Sequence, residues 1–125
     1  MAIRTLLLVA VGAVLAAQLG CAGPSPQPAI TEAERAVGLA EEAQARRYAA
    51  SEMGEALWEL QSAREMAQSS SQWIEARRLA EKASVDAELA VEKSQAEQLR
   101  VSLDLLQRGI REAGDEAAAV GKGGP

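Results

Sequence analysis

The sequence predicts an all-α chain, a long antiparallel helical hairpin with coiled-coil-like contact, set behind a signal peptide and a Pro-rich tether. Three observations lead to it. Ala76, Ala80, Ala83, Ala87 and Ala90 recur every three or four residues between charged side chains, which is the spacing of one narrow apolar helix face. Ser69-Ser70-Ser71 is the clear punctuation in the middle of the chain, since serine competes for backbone hydrogen bonds and favours turns and caps. The periodic stretches on either side of it are nearly equal in length, about 57 Å and about 63 Å at 1.5 Å per residue. Two matched arms joined by a short turn pack antiparallel.

Composition narrows the function. The 125 residues include no His, no Phe and one Cys, and the aromatic residues are Tyr48, Trp58 and Trp73. A core of Ala and Leu buries little area per residue, which suits helices in close contact rather than a thick enzyme core. One Cys excludes an internal disulfide, and zinc would lack its usual ligands. The formal charge of −5 becomes −6 without Arg4, which gives no attraction to nucleic acid. No catalytic residue, cofactor, metal site or small-molecule substrate is expected, and the chain is read as non-enzymatic.

Residues 1–20 have the anatomy of a secretory signal, with Arg4 as the positive region and Thr5 to Leu19 as an apolar run short for a membrane span. Gln18-Leu19-Gly20-Cys21 then resembles the lipobox of bacterial lipoproteins, with Gln18 standing where that pattern prefers Leu. The resemblance implies that Cys21 becomes the lipidated N-terminus, held in a membrane by more than one acyl chain. Ala22 in place of Asp implies the outer membrane, with the protein facing the periplasm. Residues 21–30 hold Cys21 and the tether, which Pro24, Pro26 and Pro28 make semi-rigid.

The hairpin domain is expected over residues 31–113. Thr31-Glu32-Ala33-Glu34 reads as a capping box, with Ile30 as the staple residue. Ala33, Val37, Ala40, Ala43, Ala50, Met53, Leu57, Leu60 and Ala67 keep near-helical spacing, with Arg46-Arg47 interrupting. Gly38 and Gly54 leave two expectations for this first arm, one unbroken rod or a break near residue 48. The second arm starts near Gln72, and beyond its alanines Leu99, Leu103, Leu106 and Ile110 continue the stripe in bulkier residues. Gly114 reads as a C-cap, with residues 114–125 as a flexible Gly/Ala-rich tail, the alternative being that the alanines at 117 to 119 carry another turn.

Tyr48-Ala49, Met53, Ala56, Leu60 and Ala63, followed by Trp73, Ala76, Leu79-Ala80-Glu81, Ala83 and Asp86-Ala87-Glu88-Leu89-Ala90, resemble the alanine-rich bacterial lipoproteins grouped as domain of unknown function 4398. The resemblance spans roughly Thr31 to Arg100 and implies an envelope lipoprotein with a helical pair.

Other residues carry less. Glu55 with Glu59 and Glu88 with Glu92 are acid pairs one turn apart, which so many carboxylates on wet helix faces produce by chance. Arg46-Arg47 and Arg77-Arg78 read as solvated, and Trp58 and Trp73 as packing around the tip. Lys122 near the C-terminus is followed by Gly-Gly-Pro and is not read as a cross-linking site. The surface of interest is Leu99, Leu103, Leu106 and Ile110. A hairpin would set only the small side chains of Ala33 to Ala43 opposite it, at the membrane-proximal end. Exposed apolar stripes mark interaction sites, so self-association or binding to another envelope protein is expected there, the latter including recruitment or activation of an enzyme.

Overall fold

The computed structural model describes residues 23–123. Within them the chain forms α1 (Gln27–Glu42), a single turn α2 (Ala45–Tyr48), α3 (Ala50–Met66), a 3-10 turn (Ser70–Gln72) and the long α4 (Trp73–Lys122). The described residues are helical and contain no strand, as the sequence predicts.

The first arm is broken where the sequence leaves that option open, and the break is a full reversal. Glu34 in the middle of α1 pairs with Arg64 near the end of α3 at 2.8 Å, so the two segments lie side by side. Both lie on α4. Glu52 and Glu59 of α3 meet Lys93 and Lys82, so α3 is antiparallel to α4. Gly23 lies by Ile74 and Ala43 by Ser94, so α1 runs parallel to α4. The result is a three-helix bundle from which the rest of α4 projects.

Alanine makes this possible. Ala76, Ala80, Ala83, Ala87 and Ala90 are all fully buried, and their small side chains let two helices approach α4 side by side. Ile30, Ala33, Ala36, Val37 and Ala40 fill the seam from α1, and Met53, Ala56, Leu60 and Ala63 fill it from α3. A continuous first arm would have covered only one side of the seam. Folding back buries both faces against it.

Two helix ends differ from expectation. Helix begins at Gln27 rather than Thr31, with Pro26 as N-cap and Pro28 in the first turn, so part of the expected tether is helical. Proline fits there because its missing N–H is not needed in the first turn and its φ is already helical. The C-terminal segment also departs from the expected tail. Gly114 is not a cap, and α4 continues to Lys122, carried by Ala117 to Ala119.

The reversal turns on Gln44, which takes φ 60° and ψ 34° just past the end of α1. The N–H of Ala43 donates to Leu39 O and that of Gln44 to Glu41 O, both at 2.9 Å, closing the helix as a left-handed C-terminal residue does. Gln is not suited to this backbone region, so Gln44→Gly is expected to stabilise the bundle by about 1 kcal/mol. Urea unfolding checks this, and a lower midpoint for the glycine variant would contradict it.

Candidate interaction surface

The chemistry-bearing residues lie in two places, a buried carboxylate inside the bundle and an apolar stripe beyond it. Cys21, the expected lipidation site, lies outside the described residues.

Glu59 is 2% exposed, on the face of α3 that also buries Ala56, Leu60 and Ala63. Its Oε1 accepts from Lys82 Nζ, which also donates to Asp86 at 3.2 Å, while Glu59 Oε2 has no partner. Burial pushes the Glu59 carboxyl above its ordinary value. The Lys82 ammonium opposes that rise, and the neighbouring Asp86 adds to it. Lys82 is raised in turn by Glu59 and Asp86. At the surface, Lys93 and Arg35 lower Glu52 and Glu32 respectively.

This cluster was hidden in the sequence, where Glu59 reads as one of many wet carboxylates. Ser94 was hidden too, although it sits four residues past Ala90 in the alanine rhythm. It is fully buried and donates to Ala43 O, which also accepts from Gln98 Nε2 at 2.8 Å. Two side chains of α4 therefore satisfy a carbonyl at the end of α1 that the helix leaves open.

Beyond Gln98 no other helix of the described residues accompanies α4. Leu99, Leu103, Leu106 and Ile110 are 62%, 50%, 64% and 72% exposed. From Leu99 the steps of four, three and four residues to Ile110 continue through Ala113, Ala117 and Val120. At 100° per residue the mean direction of these four side chains lies about 150° around α4 from the alanine seam. Lengthening α1 or α3 along the seam would therefore not cover them. Leu99 and Leu103, with Ala96, Arg100, Asp104 and Gln107, line a shallow groove along the helix. Val101 and Leu105 extend the seam side and are also exposed.

The structure corrects the expected partner of this stripe. Ala33 to Ala43 lie beside the alanine part of α4 and end at Ser94, so the first arm never reaches Leu99. It also corrects the position of the stripe along the molecule. Gly23 approaches Ile74 side-chain carbon at 3.1 Å for a Cβ placed on it, so the N-terminal segment joins the bundle at the Ser69–Trp73 turn. Ile110 lies 36 residues further along α4, about 54 Å from that end. The stripe is distal to the N-terminal segment, not proximal.

The remaining candidates are engaged locally. Arg46 pairs with Glu41 at 2.6 Å, Arg77 with Glu81 at 2.7 Å and Arg78 with Glu75 at 2.9 Å, while Arg47 lies 5.0 Å over the Tyr48 ring. Trp73 Nε1 donates to Ala67 O at 3.1 Å and fastens the turn, whereas Trp58 is exposed on α3. Glu88 and Glu92 border a groove with Leu39, Val85 and Leu89. Among the described residues no group of three or more Asp, Glu or Cys is placed to hold a metal ion, and no helix is long and apolar enough to cross a membrane.

The family described as domain of unknown function (DUF4398) matches residues 28–104, which take in nearly all of the three-helix bundle and the first exposed turns of α4. No curated protein and no solved structure matches the chain. With more than half of its length covered by that match, the chain belongs to the DUF4398 family.

Proposed function

We propose that this protein is a small non-enzymatic lipoprotein of the bacterial cell envelope, anchored through Cys21 in the outer membrane and facing the periplasm. It acts as a structural or adaptor module by offering a helix to another helix. The observation that carries this reading is the free length of α4, whose stripe of Leu99, Leu103, Leu106 and Ile110 is exposed and points away from the alanine seam that α1 and α3 fill. Burying a Leu or Ile side chain is worth roughly 1.5–3 kcal/mol, so four such residues in water leave a large driving force for association. The junction of the N-terminal segment with Ile74 supports an anchor at one end and a working surface at the other.

The anchor is tested apart from the surface. Metabolic labelling with a fatty acid is expected to mark the wild type and not Cys21→Ser, which should accumulate unprocessed or soluble. Mass spectrometry that finds an intact Met1 with an unmodified Cys21 in the membrane fraction overturns the anchoring. For the surface, chemical cross-linking in intact envelopes is expected to trap the wild type in larger species and Leu103→Glu much less.

A further inference from the structure

We propose that the free part of α4 pairs with the same segment of a second copy of this chain, antiparallel, about a two-fold axis at the level of Arg108. The inference rests on the reading of the stripe as the working surface, and it does not need the lipid anchor.

The first argument is shape. Ala96, Leu99, Leu103, Leu106, Ile110, Ala113, Ala117 and Val120 advance in alternating steps of three and four, the repeat of a two-helix seam. Leu99, Leu103 and Leu106 lie in the first half of this series, and Ala113 and Ala117 in the second. An antiparallel mate centred on Arg108 sets Leu99 against Ala117, Leu103 against Ala113, Leu106 against Ile110 and Ala96 against Val120. Every layer but the central one then joins a large side chain to a small one. A parallel mate would stack Leu on Leu at 99, 103 and 106 and Ala on Ala at 113 and 117. Flanking the seam, Gly109 has open space around its Cβ position and faces its own copy near the axis, so the two backbones can come close.

Length is the second argument. In this register Lys122 comes level with Ser94, so the mate ends where α1 of the first copy ends and does not collide with the bundle.

Sedimentation of the full chain in detergent, with Cys21 as it occurs, is the test. The wild type is expected to be dimeric at tens of micromolar. Leu106→Glu should be monomeric with unchanged helicity, because Leu106 takes no part in the bundle core. Cysteine variants report direction. Ala117→Cys faces Leu99 of the other copy and should not form a disulfide with itself, whereas Gln107→Cys lies near the axis and should. Self-cross-linking of Ala117→Cys overturns the antiparallel register. A monomeric wild type overturns the second copy as occupant. If that monomer still captures another envelope protein through the stripe, the adaptor reading stands without this inference.

Discussion

Ala83→Leu with Ala87→Leu is expected to unfold the bundle. Both positions are fully buried where α1 and α3 meet α4, and neither neighbour has room to withdraw without leaving the seam. Inserting extra methylenes into a packed core typically costs 1–3 kcal/mol per site, roughly. A bundle of this size has a total stability on the order of 5–10 kcal/mol at 0.05–0.15 kcal/mol per residue. Two such insertions would remove much of it. Leu is nearly as good a helix former as Ala, so lost helicity could not be attributed to propensity. Ala118→Leu, on the exposed part of α4, is the control and should leave the urea midpoint within about 0.5 kcal/mol of wild type. A double variant that melts like the wild type would show that the helices are not in close contact at alanine.

Lys82→Met is expected to destabilise the protein by about 2 kcal/mol at neutral pH and by much less near pH 4. Removing one partner of a buried ion pair usually costs about 3–5 kcal/mol. Lys82 is itself 58% exposed, so solvent already screens part of its attraction and the smaller figure applies. The pH dependence follows from Glu59. Its folded carboxyl is raised above its ordinary value by burial, so the folded state binds that proton more tightly than the unfolded chain does. Ionised Glu59 is therefore a cost that is absent below the unfolded pKa and develops as pH rises through the folded pKa. Taking away Lys82 enlarges that cost, and protonation removes it. Glu59→Gln eliminates the titration, so Lys82→Met in that background should be nearly neutral and almost independent of pH over this range. Thermal unfolding of the four proteins at pH 4 and pH 7 decides it. Equal losses for Lys82→Met at both pH values would show that Glu59 does not carry the effect.

Helix content, the alanine seam and the turn at Ser69–Ser71 were determined by the sequence itself. Each is a local rule: a repeat of three and four, a residue small enough for close approach, and serines that prefer turns. The family was legible for the same reason, since its motif is that seam. The exposed Leu and Ile of α4 were legible as an apolar stripe, because periodicity needs no knowledge of neighbours.

What lies across from each face was decided by the tertiary structure alone. The reversal after α1 has no proline and no glycine to announce it. It is held by Gln44 in a left-handed conformation and by Ser94 and Gln98, which reach the Ala43 carbonyl from more than fifty residues away. A single sequence read locally makes 31–68 one arm, unbroken or broken near residue 48, and gives no sign of a full reversal, because the contacts to Ser94 and Gln98 are not local. Once the arm folds back, α1 lays its apolar face on the alanine seam and Glu59 is enclosed between α3 and α4, while the stripe from Leu99 to Ile110, on the other side of α4, has no other helix of the described residues against it. The physical reason is that Ala76 to Ala90 is thin enough to take two helices at once.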